Sequence, residues 1–240
     1  MFRSRCSRRV ECPPFPTSPM TSPPRLSVFR RVVVAMAVML VAAPALTIAT
    51  GDVADAGPRP RSSADHVAVA ATQALAALED WRLHGDPSRY VAYVSKRDAT
   101  AQLAADELGL DADRLTVAWG STHPTKQTAL LGAITQLGVP YRSMMSSEGV
   151  GFDCSGLTTY AWGRAGVGLT RSSGDQIREA ARVDRDEADA GDFVYYPGHV
   201  MMYLGIDHAV VHSPNSGNLV EITFVSDRRQ DTVVYADPIG

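Results

Sequence analysis

The sequence predicts an α+β fold, with helices packed on an antiparallel sheet of about five strands. After residue 64, apolar residues first recur at three- and four-residue steps, which is the period of an amphipathic helix. After residue 191, short β-branched and aromatic segments alternate with Gly or Pro turns, as in an antiparallel meander. Helices that precede a run of strands indicate an α+β domain. With 240 residues, 45% of them hydrophobic, the chain can bury one core of ordinary size.

Residues 1–56 have the order of a secretory signal. Three arginines precede the apolar run 32–49 (VVVAMAVMLVAAPALTIA), and residues 54–56 (ADA) offer an A-x-A cleavage position. An uncleaved membrane anchor is the alternative, although Pro44 weakens this run as a spanning helix. We therefore expect an export segment, then a linker at 57–63, and a protein that is secreted or held in the cell wall, outside the cytoplasm. Membrane contact is expected only through an uncleaved signal.

Charge and cysteine usage exclude two classes of protein. Of the 23 Lys and Arg, seven lie in residues 1–56, as do three of the 26 Asp and Glu, so the remainder has 16 basic and 23 acidic residues and a net charge of −7. Such an acidic domain is not expected to bind nucleic acid through its phosphates. Cys6 and Cys12 lie in the export segment, which leaves Cys154 alone and excludes a disulfide framework.

Helices dominate the first part of the exported chain. Residues 64–118 form a predicted helical N-terminal region, with one helix over 64–81 and a second helical stretch over 90–108. This region offers no nucleophile and no metal cluster. We expect it to pack permanently on the rest of the chain, because the connection near Gly120 is short. The alternative is that it covers a cleft until moved.

Residues 119–240 form the second predicted region, in which helices give way to strands. Helices are predicted at 125–137, 155–165 and 175–181. The five predicted strands are 192–196, 199–204, 209–212, 219–225 and 232–235.

Cys154 is the candidate nucleophile. It lies at the predicted start of a helix, where free backbone N–H groups and the helix dipole favour an anion and so favour the thiolate. A catalytic thiol also needs a base within reach and a group that orients this base. The alternative is that Cys154 is a small buried apolar residue without chemistry.

Histidines supply the candidate base and orienting group. His199 opens a predicted strand and is the candidate base. His212 closes the next strand, which pairs antiparallel with the first through a turn at 205–208, and is the candidate orienting residue. His208 is the second candidate for this role, although its turn position is expected to point it at solvent. No metal site and no cofactor are expected, because the chain has no HExxH or CxxC motif.

Five ordered blocks between about residues 125 and 238 resemble the NlpC family of bacterial cell-wall endopeptidases, of the actinobacterial type. They are FDCSGL (152–157) with Tyr160 and Trp162, LTRSS (169–173) with Gln176, AGDFVYY (190–196), His199-Val200 with Tyr203 and Gly205, and VHSP (211–214).

The resemblance implies a papain-like cysteine peptidase fold at 119–240 that acts on peptidoglycan stem peptides. Many members cut the bond between D-γ-glutamyl and a diamino acid. By position, Cys154, His199 and His212 would be the nucleophile, the base and the orienting residue. Tyr141 matches a tyrosine that helps to hold the oxyanion, and Asp153 matches an acid that recognises the substrate amine, a role compatible with capping a helix. Ser155 is placed with these two as an oxyanion- or substrate-binding residue.

The chain also departs from the family pattern. Residues 142–148 (RSMMSSE) replace the Trp-Gly-Gly stretch that usually follows the tyrosine, Met201 replaces a small residue, and LTR replaces LPR at 169–171. Met201 either narrows the pocket or packs beneath it. Two other functions stay open: a non-catalytic peptidoglycan-binding module, and an acyl or amide transferase on the same papain-like core. The protein is expected to act as a monomer.

Overall fold

The computed structural model describes residues 65–240. The predicted export segment at 1–56 and the linker at 57–63 lie outside the described residues. Within the described part, no helix combines the length and hydropathy needed to cross a membrane.

Four helices precede the sheet. They are α1 (His66–His84), α2 (Pro87–Leu108), α3 (Ala112–Ser121) and α4 (Pro124–Ile134). Asp side chains at residues 65, 86 and 111 cap the first three by accepting backbone N–H groups of the first turn. Gly85 and Gly109 end α1 and α2 in the left-handed conformation that glycine adopts without strain. The first two helices therefore begin and end close to where their sequence signals place them.

Helix α3 corrects the expected connection near Gly120. This glycine lies inside the helix, not in a loop, and a Cβ at its position would meet the Arg97 guanidinium at 3.2 Å. The glycine therefore gives the Arg97 side chain room to pack against α3. The connection between α3 and α4 is reduced to Thr122 and His123.

The second region contains three more helices and eight strands. The helices are α5 (Cys154–Arg164), α6 (Ser173–Glu179) and α7 (Asp227–Gln230), with a 3₁₀ turn at Arg185–Glu187. The strands are β1 (Ser146–Ser147), β2 (Gly151–Phe152), β3 (Ala181–Val183), β4 (Phe193–Tyr196), β5 (His199–Tyr203), β6 (Ala209–His212), β7 (Glu221–Phe224) and β8 (Val234–Asp237).

The main sheet has six strands in the order β3-β8-β4-β5-β6-β7, and every pairing is antiparallel. The predicted α+β fold is confirmed, with one strand more than expected. The additional strand is Ala181–Val183, and the sequence predicts its first residue as the end of a helix. Three mostly exposed residues form it by pairing with β8, and so short a segment shows no alternating pattern in the sequence.

One apolar core joins the helices to one face of the sheet. It runs from Val67 in α1 through Leu130 in α4 and Trp162 in α5 to Met202 in β5 and Ala236 in β8. The N-terminal helices therefore share their buried surface with the sheet. The opposite face of the sheet carries a second, smaller cluster, which comprises Val194, Met201, Tyr203, Val210, Val225 and Tyr235.

Candidate active site

Cys154 is the first residue of α5, and it is a free, half-buried thiol. Asp153 caps this helix, since its Oδ1 accepts the backbone N–H of Gly156 at 2.7 Å. The thiol therefore lies where the helix dipole favours negative charge. The predicted position of Cys154 at a helix start agrees with the structure, and the helix begins one residue earlier than expected.

The loop before the cysteine passes very close to the first turn of α5. Ser146 Oγ donates to the carbonyl of Gly156 at 2.7 Å, and the Met145 carbonyl accepts the Asp153 N–H at 3.0 Å. A Cβ on Gly156 would lie only 2.0 Å from the Met145 carbonyl oxygen. Only glycine fits at this position, because a side chain would push the loop away from the thiol.

Arg171 holds the same turn from the other side. Its Nη1 donates to Ser155 Oγ at 2.9 Å, and its Nη2 donates to Asp153 Oδ2 at 2.8 Å and to the Met145 carbonyl at 3.0 Å. Asp153 and Ser155 are thus engaged by protein partners. Their contacts give both residues a structural role beside the thiol.

Gln176 anchors α5 from beneath. Its side chain is 1% exposed, and its Nε2 lies 2.8 Å from the Thr170 carbonyl, 3.0 Å from Thr159 Oγ1 and 3.1 Å from the Ser155 carbonyl. Its Oε1 accepts the Thr158 hydroxyl at 2.7 Å. This one amide connects α6, the loop before it and the first turn of the cysteine helix.

His199 and His212 form a pair on the sheet. His199 Nε2 lies 2.8 Å from His212 Nδ1, and the two rings meet edge to face. The predicted hairpin brings them together, because β5 and β6 pair antiparallel with Met202 opposite Val211. The predicted juxtaposition of the two imidazoles agrees with the structure.

The surroundings of His199 favour its neutral form. Burial, together with smaller electrostatic contributions from His212 and Arg229, lowers the pKa of His199 to about 3. The Arg229 guanidinium stacks 3.8 Å from the centroid of the Tyr196 ring, and Tyr196 also contacts the His199 ring. At neutral pH His199 is therefore uncharged, which is the form that accepts a proton.

The cysteine helix and the histidine strands belong to one structural unit. Helix α5 packs against β5, and Ser213 Oγ, next to His212, donates to the Phe152 carbonyl at 2.8 Å. Within residues 65–240, however, no hydrogen bond joins the thiol of Cys154 to His199, and none occupies His199 Nδ1. The free nitrogen is the one that a thiol would need.

Tyr141 lies on the cysteine side of the site. Its backbone N–H donates to the Asn218 carbonyl at 2.9 Å, and it forms a parallel bridge with Phe152. Burial raises the pKa of Tyr141, and the negative charges of Asp153 and of an ionised Cys154 raise it further. The hydroxyl therefore stays protonated near the thiol and can donate a hydrogen bond.

Two alternatives from the sequence have a structural outcome. His208 does not point freely into solvent, because its Nδ1 bonds the Tyr235 hydroxyl at 3.0 Å. Its partner is this hydroxyl, so it does not orient His199. Met201 is buried in the second apolar cluster with Val210, so its side chain packs on the face of the sheet that carries this cluster.

Sequence reasoning missed the roles of four residues. Arg171 and Gln176 belong to the motif blocks, and this membership is a sequence signal that could have marked them. Glu221 and Arg229 have no such signal. Glu221 lies near His212 because of the register of β6 and β7, and Arg229, which stacks on Tyr196 from helix α7, acts on His199 through its charge.

Comparison with known proteins matches residues 138–235 to the NlpC/P60 family. The peptidoglycan endopeptidase RipB of Mycobacterium tuberculosis is 40% identical over an alignment 101 residues long, which covers 35% of this chain and 42% of that protein. The gamma-D-glutamyl-L-lysine dipeptidyl-peptidase of Bacillus cereus is 36% identical over 94 residues, 36% of this chain and 28% of its own. The murein DD-endopeptidase MepH of Escherichia coli is 32% identical over 111 residues, 42% of this chain and 41% of its own. The chain thus spans less than half the length of each of these relatives.

Solved structures also match part of this chain. The P60 domain of a Mycobacterium avium subspecies paratuberculosis antigen is 28% identical, with a TM-score of 0.42, over 48% of this chain and 96% of that one. RipD of Mycobacterium tuberculosis, described as a non-catalytic NlpC/p60 domain protein adapted to peptidoglycan binding, is 26% identical, with a TM-score of 0.40, over 48% and 98%. The family match contains Tyr141, Cys154, His199 and His212. This chain therefore contains a domain of the NlpC/P60 family at residues 138–235.

Proposed function

We propose that this protein is an exported peptidoglycan hydrolase that cleaves stem peptides by cysteine catalysis. The observation that carries the proposal is the 2.8 Å contact between His199 and His212, because the strand that carries His199 packs against the helix that begins with Cys154. Nucleophilic catalysis by a cysteine requires a thiol, a base and a group that orients the base, and this domain offers a thiol at a helix N-terminus and a hydrogen-bonded imidazole pair.

The reaction begins with proton transfer from the thiol to His199. Nδ1 of His199, the nitrogen left free by the bond to His212, accepts the proton of Cys154. The thiolate then attacks the carbonyl carbon of the scissile amide. His212 holds the His199 ring by its Nδ1 and stabilises the imidazolium that forms.

The negative charge on the substrate oxygen needs donors at the cysteine side. The backbone N–H of Cys154, unpaired in the first turn of α5, and the hydroxyl of Tyr141 supply them. Collapse of the tetrahedral intermediate breaks the C–N bond, and the His199 imidazolium protonates the departing amine. Water, activated by His199, then hydrolyses the thioester and restores the thiol.

The bond between D-γ-glutamyl and a diamino acid is the proposed cleavage site. The Bacillus cereus relative is named for a γ-D-glutamyl-L-lysine bond, and the Escherichia coli relative is named a DD-endopeptidase. Asp153 and Ser155 already bond Arg171, so recognition of the substrate amine by Asp153 would share the carboxylate with this arginine. The protein acts outside the cytoplasm, as a monomer, without metal or cofactor.

A peptidoglycan-binding module is the second candidate function. The absence of a hydrogen bond between Cys154 and His199 in the described chain favours it, because a binding module does not need that contact. RipD, which is described as non-catalytic, is an example of this role within the family. Catalytic hydrogen bonds are often long in the free enzyme and tighten only when substrate binds, so the geometry is compatible with both functions.

Mass spectrometry of defined muropeptides decides between these functions. The protein and its Cys154→Ala variant are incubated with muropeptides that contain lysine or diaminopimelate, and the products are identified by mass. A fragment that ends at D-glutamate, absent with the variant, supports the hydrolase and names the bond. Intact muropeptides that bind both proteins support the binding module. Products joined to an added amine would identify a transferase.

The two neighbouring histidines of the hairpin provide a matched control. His212→Ala removes the partner of His199 and is expected to lower kcat, whereas His208→Ala removes only a bond to Tyr235 and should leave kcat near that of the unaltered protein. Equal losses in both variants would mean that His212 acts only through stability.

A further inference from the structure

The second ring nitrogen of His212 has no hydrogen-bond partner in the described residues, although it is buried. His212 Nδ1 bonds His199, and its Nε2 lies 3.4 Å from Glu221 Oε1, which is within ion-pair distance although the two atoms do not form a hydrogen bond. A buried polar atom without a partner carries a free-energy cost, so its position next to a carboxylate needs an explanation.

Strand register places Glu221 at this position. Glu221 is the first residue of β7 and is the direct antiparallel partner of His212 at the end of β6. Directly opposed residues in an antiparallel pair have neighbouring side chains on one face of the sheet. The pairing of four residues along β6 and β7 fixes the approach, so it does not depend on a loop conformation.

The contacts define where the protons must lie for catalysis. For Nδ1 of His199 to accept a proton from the thiol, its Nε2 must carry the hydrogen and donate it to His212 Nδ1. His212 Nδ1 is then an acceptor, and its own hydrogen must lie on Nε2. That hydrogen faces Glu221, whose carboxylate can only accept.

We propose that Glu221 is a positioning residue that fixes the proton on Nε2 of His212, and through it the tautomer of His199. This inference rests on the proposed cysteine chemistry. The carboxylate also compensates the positive charge that spreads over the two imidazoles when His199 is protonated. Such compensation matters here because Arg229 lies near His199 and opposes that charge. The approach of Glu221 to Nε2 shortens when the imidazolium forms.

Substitutions at Glu221 test this role in the full chain. Glu221→Ala is expected to lower kcat on muropeptides roughly 10-fold with KM unchanged, the lower end for a group that orients a ligating or catalytic histidine, because the side chain is 39% exposed and solvent screens it. Glu221→Gln retains an acceptor oxygen and should recover part of the loss. Glu187→Ala, which removes an exposed carboxylate from the 3₁₀ turn, is the matched control and should leave kcat unchanged.

Imidazole tautomers give a readout that needs no substrate. Two-bond ¹H–¹⁵N correlation spectra of histidine-labelled protein distinguish hydrogen on Nδ1 from hydrogen on Nε2. We expect Nε2–H on both His199 and His212 in the protein and in Glu187→Ala, and a mixture of tautomers at His212 in Glu221→Ala. Identical spectra for the protein and Glu221→Ala would overturn the inference.

The two readouts separate the inference from the proposed function. If the tautomer of His212 depends on Glu221 but no variant cleaves muropeptides, the positioning role stands and the hydrolase proposal fails. If muropeptides are cleaved equally well by Glu221→Ala and the spectra do not change, the hydrolase stands and the positioning role fails. A Glu221→Ala variant that loses kcat with unchanged tautomers also contradicts the inference.

Discussion

Replacing Gln176 by Leu tests how the cysteine helix is held in place. The Gln176 amide is almost fully buried and makes hydrogen bonds to residues 155, 158 and 159 of helix α5 and to the carbonyl of Thr170 in the loop before α6. Leu has a similar volume and fills the same space, so the variant removes hydrogen bonds without opening a large cavity. The expected loss can be worked out from the partners that each group keeps.

The groups that bond Gln176 differ in how many other hydrogen bonds they retain in the variant. The Ser155 carbonyl keeps the Thr159 hydroxyl at 2.7 Å, and the Thr158 hydroxyl, whose single hydrogen is released from Gln176 Oε1 in the variant, can donate to it at 2.9 Å. The Thr170 carbonyl keeps only a 3.5 Å contact to Thr159 Oγ1, so it becomes a nearly unpaired buried acceptor. Two lost bonds at about 1 kcal/mol each and one orphaned carbonyl at about 1–2 kcal/mol give a destabilisation of about 3–4 kcal/mol. For a chain of this size the Tm should fall by about 10 °C.

Urea unfolding at pH 7, monitored by circular dichroism, measures this loss in the free energy of unfolding. Gln73→Leu is the control, because Gln73 is exposed in α1 and makes only a 3.5 Å contact to Lys96; its effect should stay within about 0.5 kcal/mol. A loss below about 1 kcal/mol in Gln176→Leu would refute the reasoning, since it would mean that the amide network contributes no more than a surface contact.

Three further outcomes follow from the contacts at the site. Gly156→Ala should abolish muropeptide cleavage and lower the Tm, because its Cβ would lie 2.0 Å from the Met145 carbonyl; unchanged melting and activity would contradict this. Arg229→Gln should raise the pKa of His199 in an NMR titration, since the guanidinium disfavours the imidazolium, and an unchanged titration would mean that solvent screens it. The pKa of His199 is about 3, mainly because the side chain is buried. Between pH 6.5 and 3 the unfolded chain therefore binds a proton that the folded chain excludes. As the pH decreases through this window, the free energy of unfolding should decrease by up to about 1.4 kcal/mol per pH unit. Burial raises the pKa of Asp192 to about 6, so below pH 6 this group changes the free energy of unfolding in the opposite direction. Urea unfolding curves of the protein and of His199→Gln at several pH values therefore isolate the contribution of His199. Equal pH slopes in the two proteins would contradict the prediction.

The sequence predicts the elements whose apolar period is long or whose caps are explicit. Helices α1 and α2 have Asp at one end and Gly at the other, and strands β4 to β6 are β-branched or aromatic between Gly and Pro turns. Strand β3 escapes prediction because pairing with β8, not local preference, makes it a strand. Strand β8 begins at Val234, two residues after its predicted start, and helix α7, which precedes it, is not predicted. Four residues are too few for a periodic signal.

The candidate site divides in the same way. Cys154, His199 and His212 could be chosen from the sequence, because the helix start and the hairpin geometry depend on local patterns. Glu221 could not be chosen, since a shift of the β6–β7 register by one residue would turn its side chain to the other face of the sheet. Arg171 shows the same limit, because its three contacts join residues 145, 153 and 155 across a loop.

Different residues hold the Cys154 thiol and the His199–His212 pair in place. Gly156, Arg171 and Gln176 fix the thiol through the first turn of α5, whereas the His199–His212 pair is fixed through the pairing of β5, β6 and β7. No residue makes hydrogen bonds to both groups within the described chain, and the two sides connect through the bond from Ser213 to the Phe152 carbonyl and through the core beneath α5. Substitutions on opposite sides should therefore have additive effects on stability. Their effects on kcat should not add, because the proposed proton transfer from Cys154 to His199 requires both sides at once.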